Sequence, residues 1–466
     1  MKKGICSVLS LLLCVLMLAA CQNSNPDTTP TEKPFEPENA LQLWEKINTT
    51  MDALESYETD NTAKVVYYYM GYEFELELIG KTVMTTDAHY EETETVISCA
   101  EIEMDQTMKM MQAYHDGTMY MANSVDTYDQ KFCSGMTFAE YKEEKTGDLT
   151  EDISIIDCTE AAFSKSEDGL WKLECSGYTK KTINKVLGSM ELPDDQLGAS
   201  IEDMRVALVA DKDFHAQKIE LSLVFTEAEG EPLPEFSIVA QYSRFNTAVF
   251  DSALLKTEEF TQVDDVRILE KVEDALEERQ AATSGKFTLE LNSTSELMGH
   301  AESSSEKDSV SYGKENGAYY YDITAELNGQ QFTMQYRNGL QTVTSGGESQ
   351  TAAQAETDAK AFIDGLIDSA KYNPMAVTAI EKKDEGVYLF HVAQQDVSAY
   401  EHLFVGLDVE ITAAAQQITV TLDNGHLAKI ESKISLDGTY RYDTGSTPIT
   451  TVIGSVVTFE GENQSV

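Results

Sequence analysis

Residues 104–121, MDQTMKMMQAYHDGTMYM, decide how this chain is read. His115-Asp116-Gly117 lies inside the stretch, and Asp-Gly accepts the positive φ of a tight hairpin turn. The flanks are rich in Met, Tyr and Thr, with stretches of alternating polarity. That pattern predicts antiparallel strands rather than a helix. Residues 65–70, 73–79, 93–104 and 110–121 share the mixture and are all read as strand. Upstream, Leu43, Trp44, Ile47, Met51 and Leu54 recur at three- and four-residue steps, so residues 40–57 form an amphipathic helix. Downstream come a short helix over 138–144, a hairpin across Glu167-Asp168-Gly169 and a helix over 182–190. Strands follow over 201–210, 216–225 and 235–245.

The same order then recurs. Leu43-Trp44-Glu45-Lys46-Ile47 is matched by Ile268-Leu269-Glu270-Lys271-Val272. The Asp116-Gly117 hairpin is matched by Asn338-Gly339, and the Asp168-Gly169 hairpin by Asp384-Glu385-Gly386. Residues 204–219 are matched by 418–430. Each match is short; their shared order argues for a duplication, with the boundary near residues 251–264.

The N-terminus carries an address. Lys2 and Lys3 precede an apolar run over 5–20 that ends in Leu18-Ala19-Ala20-Cys21. A basic start, a short apolar core and small residues before the cut mark an export signal. The run falls short of the ~20 residues that span a bilayer. A Cys directly after Leu-Ala-Ala resembles the lipobox of bacterial lipoproteins. By that resemblance cleavage falls between Ala20 and Cys21, and Cys21 carries the lipid. Pro26, Pro30, Pro34 and Pro37 make residues 21–39 an extended tether. The expected place is the extracytoplasmic face of a bacterial cell membrane. The expected partners are that membrane and an apolar ligand, with no protein partner identified.

The chain has 466 residues, with 34 Lys+Arg against 81 Asp+Glu, for a formal charge of −47. Apolar residues make up 42%, enough for cores, which excludes a wholly disordered acidic chain. No basic cluster follows Lys3, so a nucleic-acid partner is not expected.

One helix followed by a strand series interrupted by helices, given twice behind a lipobox, resembles the LolA/LppX superfamily of envelope lipoproteins and lipoprotein carriers. The resemblance implies a curved antiparallel half-barrel wrapped around helices, with an apolar cavity for lipids or acylated molecules. The expected fold class is therefore α+β, in two tandem domains of that kind over 40–250 and 262–460, after a signal peptide over 1–20. The expected function is binding or carriage of an apolar or acylated ligand. The alternative is a non-catalytic scaffold that binds a protein or glycan through its outer surface.

Individual residues sharpen this picture. Met104, Met108, Met110, Met111, Met119 and Met121 are dense in sequence. As inward positions of adjacent strands they form core; flexible thioethers also suit an adaptable cavity, and thioethers bind Cu(I). Met104, Met108, Met110, Met119, Met121 and Trp44 are the candidate cavity lining. Tyr67 and Tyr69 fall on one strand face and Tyr68 on the other. Cys99, Cys133, Cys158 and Cys175 permit two disulfides, and Cys158–Cys175, flanking the Asp168-Gly169 hairpin, is the preferred pair. Buried thiols are the other reading. The seven His residues form no HExxH motif. No nucleophile elbow, phosphate loop or dinucleotide fingerprint occurs, so no catalytic residue, metal or cofactor is expected.

Overall fold

A computed structural model of the chain describes residues 35–69, 71–125, 128–145, 157–189, 200–226, 232–297, 299–315, 317–368, 372–393, 408–442 and 445–460. The stretch read as a signal, Cys21 and the stretch read as a tether up to residue 34 lie outside the described residues, as does Met190 at the end of the helix read over 182–190. The chain divides into two units, Met1–Gln262 and Val263–Val466.

The first unit opens with α1 (Ala40–Asp52). The Asn39 side chain accepts a hydrogen bond from the Gln42 amide and so caps the helix. Leu43, Ile47 and Met51, one helical stripe, are buried. Six strands then meander: β1 (Tyr57–Tyr69), β2 (Tyr72–Met84), β3 (His89–Cys99), β4 (Met104–His115), β5 (Thr118–Val125) and β6 (Tyr128–Gly135). After α2 (Phe138–Lys145) come β7 (Cys158–Lys165), β8 (Trp171–Tyr178), α3 (Lys180–Ser189), β9 (Ile201–Ala210), β10 (Ala216–Phe225) and β11 (Glu235–Ser243). A two-residue strand, β12 (Thr261–Gln262), pairs in parallel with β6. The twelve strands form one sheet in the order β12-β6-β5-β4-β3-β2-β1-β11-β10-β9-β8-β7.

The second unit begins with α4 (Ile268–Ala281). It continues through β13 (Gly285–Leu297), β14 (His300–Glu315), β15 (Ala318–Leu327), β16 (Gln330–Arg337), β17 (Leu340–Ser345) and β18 (Glu348–Ala353). Then follow α5 (Glu356–Ile367), β19 (Val377–Asp384), β20 (Val387–Val392), β21 (Val409–Asp423), β22 (His426–Tyr442) and β23 (Gly445–Glu460). Its sheet runs β18-β17-β16-β15-β14-β13-β23-β22-β21-β20-β19.

Without β12 the two orders are the same strand for strand. Each unit has a six-strand meander, a helix, and five further strands of which the last pairs with the first. The matched turns fall at equivalent places. Asp116-Gly117 joins β4 to β5 at φ of 49° and 77°, and Asn338-Gly339 joins β16 to β17 at 52° and 81°. Two successive positive φ values fit the twist of flanking strands, and Asp-Gly and Asn-Gly reach them at little cost.

The α+β expectation, a half-barrel wrapped around a few helices, is overturned. Among the described residues strand accounts for 63% and helix for 17%, and the architecture is two large sheets. Counting helices as equal partners of strands misled the sequence reading. The strands run to 17 residues and outnumber the helices, and α1 supplies only one short stripe, Leu43, Ile47 and Met51, to a core built mostly from strand residues.

A second correction is local. Residues 93–104, read as one strand, contain a 3₁₀ turn at Ala100–Ile102, with Glu103 left-handed at φ 53°. No Gly, Pro or Asn announces that reversal. The segment read as the boundary is also structured. Ala248, Phe250, Leu255 and Phe260 pack on the outer face of the first sheet, against Val83, Tyr90, Tyr120 and Cys133. Phe260 meets Tyr120 edge-on at 5.2 Å, and Lys131 pairs with Glu259 at 2.8 Å.

Candidate functional site

The site is the inner face of β1–β6. Residues directly opposite in an antiparallel pair share a face, so the register lays side chains out in rows. One row runs Asn61, Gly80, Thr93, Met110, Asn123, Gln130 across the six strands. On one side of it lies Thr59, Thr82, Glu91, Gln112, Met121, Phe132, and on the other Ala63, Leu78, Thr95, Met108, Val125, Tyr128. Further along come Val65, Leu76 and Ile97, then Tyr67 stacked on Phe74 at 5.3 Å, near Met104. The face is therefore polar toward one end and apolar toward the other.

The polar end is buried. Thr59 and Asn61 are 1% exposed, Thr93 and Thr95 are 0% exposed. The hydroxyls of Thr59, Thr93 and Thr95, and both polar atoms of the Asn61 amide, have no hydrogen-bond partner. A buried polar group left unpaired costs about 1–3 kcal/mol. Four such side chains on β1 and β3 flank β2, which contributes only Gly80 to the row between Asn61 and Thr93. At about 4.8 Å between strands, the two side chains stand about 10 Å apart over that gap. The four groups are uncharged donors and acceptors, so the arrangement suits hydroxyl or amide groups.

An aromatic cap closes this end. Thr137 and Glu140 form a reciprocal capping box at the start of α2: the Thr137 amide donates to Glu140 Oε2 at 2.6 Å, and the Glu140 amide donates to Thr137 Oγ1 at 3.2 Å. The hydrogen bond from the Thr137 backbone, then that from its hydroxyl, holds the Glu140 carboxyl below the usual range. The cap orients α2 so that Phe138 and Tyr141 lie over Tyr114, with centroids at 4.9 and 5.2 Å. The buried Tyr141 hydroxyl hydrogen-bonds His89 Nδ1, and His89 Nε2 lies 3.8 Å from Glu91 Oε2. Tyr141, His89 and Glu91 are 1%, 0% and 5% exposed, so the chain has almost no contact with solvent. Its evident work is to fix α2 to β3.

The five methionines proposed as lining, Met104, Met108, Met110, Met119 and Met121, all lie on this inner face, three on β4 and two on β5. Met108 and Met119 are buried; Met104 and Met110 are part-buried against the core that contains Met108. Trp44 on α1 packs on the same core. Met111 points the other way, toward the outer cluster. Tyr67 faces inward, whereas Tyr68 donates from the outer face to Glu73 at 2.6 Å, which pushes its phenol up to about 12.

The cysteines divide. Cys99 lies on the inner face, and Cys133 on the outer face among Val83, Tyr90 and Tyr120, so these two do not meet. Cys158 stands opposite Tyr178 and Cys175 opposite Ala161, so the preferred pair is not a directly opposed one. Their thiols nevertheless hydrogen-bond. Burial, then the neighbouring Cys158, pushes the Cys175 thiol up to about 12.

Thr59, Asn61, Thr93, Thr95 and His89 escaped the sequence reading. Thr is an ordinary strand residue, and only the register shows that Asn61 and Thr93 stand on either side of Gly80, with Thr59 and Thr95 in the rows beside them. Among the described residues no group of three or more His, Cys, Asp or Glu is placed to hold a metal, and no helix is long and apolar enough to cross a membrane.

No protein-family model and no curated protein matches the chain. Solved structures align over most of it at very low similarity. A protein assigned as AttH from Nitrosomonas europaea is 7% identical, covering 85% of this chain and 92% of its own, with a TM-score of 0.12. OccK3 from Pseudomonas aeruginosa is 7% identical, covering 87% and 96%, at 0.11. Kievitone hydratase from Nectria haematococca is 7% identical, covering 87% and 89%, at 0.11. Similarity at that level supports no assignment of fold or function, and the chain is placed by its own residues.

Proposed function

We propose that this chain is an exported lipoprotein, anchored through Cys21 to the outer side of a bacterial membrane, whose first unit binds an acylated molecule with an uncharged polar head. The anchor rests on the Leu18-Ala19-Ala20-Cys21 motif and the proline-rich tether behind it. The binding rests on one observation: four buried, unpartnered polar side chains, Thr59, Asn61, Thr93 and Thr95, adjoin an apolar run of Met108, Leu76 and Ile97 on the same face. A head bearing hydroxyl or amide groups satisfies the polar row. An acyl chain laid along the apolar end gains about 0.8 kcal/mol for each methylene it buries. Methionines bordering that path adapt to chains of different shape.

The test is native mass spectrometry of the full chain purified from a bacterial host, beside the double variant Thr93→Val, Thr95→Val. The wild type should retain lipid of discrete mass and rebind it after delipidation. The variant should lose retention yet unfold at a higher temperature, because valine removes two unpaired hydroxyls at constant shape. A delipidated wild type that takes up no lipid from a bacterial extract sinks the reading.

A second reading, a scaffold working through its outer surface, is supported by the outward rows of β2 and β3. There Glu77, Lys81, Glu92 and Glu94 lie around Ile79, which is 67% exposed. Cross-linking at Ile79 that survives the valine substitutions would favour it.

A further inference from the structure

We propose that the second unit carries a separate surface site for a small sugar acid, a hydroxyl-rich molecule with one carboxylate, in a groove floored by Gly454. The groove is open to solvent, and its volume is about 370 Å³, within the range of small-molecule sites. It crosses the solvent-facing side of five adjacent strands, β13, β23, β22, β21 and β20. Its central row is Asn292, Gly454, Lys433, Gln417, in register.

Gly454 is the informative residue. It sits in the middle of β23, a central strand, where glycine costs roughly 0.5–1 kcal/mol relative to alanine. Neither conformation nor packing demands it. Its φ is not positive, and an added Cβ would meet nothing nearer than backbone oxygens at 3.9 and 4.0 Å. What glycine does there is leave a notch, the arrangement expected where a ligand comes close to the backbone of a strand.

The walls define the occupant. Asn292, Thr294, Gln417 and Thr419 offer amide and hydroxyl groups, while Val452, Val456 and Leu389 give an apolar floor beside the notch. That combination matches a molecule with hydroxyl edges and C–H faces. Two charges line the groove. Glu431 is engaged by Lys429 at 2.5 Å, whereas Lys433 forms no ion pair among the described residues. The free ammonium selects a carboxylate. The strongly acidic surface does not forbid this, because its repulsion is screened beyond about 8 Å at physiological ionic strength. A ligand of about a dozen heavy atoms at about 0.3 kcal/mol each binds with Kd on the order of 1 mM. The site is independent of the inner face of the first unit, and its probes are soluble in water.

Saturation-transfer difference NMR on the full chain tests the proposal with D-gluconate, D-glucose and acetate as probes. Gluconate should bind with Kd on the order of 1 mM, and glucose and acetate more weakly. Lys433→Gln should weaken gluconate about fivefold and leave glucose unchanged. Gly454→Val should abolish gluconate binding while raising the unfolding temperature, since a β-branched residue both fills the notch and favours strand. Gly454→Ala serves the same purpose should valine prevent folding. No transfer to gluconate at 10-fold above the expected Kd, or unchanged binding by the glycine variants, overturns the proposal.

Discussion

Asp308→Asn is the sharpest probe of the second unit. Asp308 lies on β14 opposite Leu289 and Ala325, 5% exposed, and its Oδ1 has no hydrogen-bond partner. Burial, with Glu306 two residues away on the same strand face, pushes the carboxyl from 3.8 to about 6. Because the folded chain holds this proton more tightly than the unfolded chain, folding is penalised once the group ionises. The penalty is absent below about pH 3.8 and complete above about pH 6. A shift of about two units at 1.36 kcal/mol each amounts to about 3 kcal/mol. Asparagine keeps the shape and removes the titration. The variant should match the wild type near pH 3.5 and exceed it by about 3 kcal/mol at pH 7.5, or about 6–12 °C in Tm for a unit of this size. Urea unfolding separates the units optically: Trp44 and Trp171 both lie in the first unit, so a transition seen in far-UV circular dichroism but not in Trp fluorescence belongs to the second. Other acids titrate alike in both proteins and cancel in the difference. A gap that does not change with pH, or a variant less stable at pH 7.5, refutes the reasoning.

Three further outcomes follow from the geometry. Tyr141→Phe removes the hydroxyl bonded to His89 and should lower stability by about 1–2 kcal/mol, read as an earlier Trp-fluorescence midpoint. Cys175, pushed up to about 12, should resist iodoacetamide at pH 8 in the folded protein and react once urea unfolds it. Peptide mass spectrometry gives the rate, and fast native alkylation would contradict the burial. Gly386→Ala should destabilise far more than Gly169→Ala at the equivalent hairpin, as compared by thermal melts. Both glycines have positive φ, but a Cβ at 386 would lie 2.3 Å from the Leu422 carbonyl oxygen, whereas at 169 the nearest atom is 3.9 Å away.

Much of the secondary structure is written locally. Asp116-Gly117 and Asn338-Gly339 force hairpins because few other pairs accept two positive φ values. β9 and β10 occupy the very residues whose apolar pattern reads as strand. The reversal at Cys99–Glu103 was illegible, because a 3₁₀ turn closed by a left-handed Glu carries no signature in composition. The weight of the helices was misjudged for a different reason: periodicity finds elements but does not say how many residues of the core each covers.

The sequence by itself determined the order of elements and their recurrence, and it holds the Leu18-Ala19-Ala20-Cys21 motif and the proline-rich stretch on which the proposed anchor rests, since each depends on neighbours within a few residues. The tertiary structure alone decided that β11 closes on β1 and β23 on β13, so that each unit is one large sheet. It alone set Asn61 and Thr93 on either side of Gly80, with Thr59 and Thr95 in the rows beside them, and Asn292 and Lys433 on either side of Gly454. Strand register is the reason. Side chains that adjoin in a sheet come from positions tens to more than a hundred residues apart, and slipping one strand by one residue would send every one of its side chains to the opposite face.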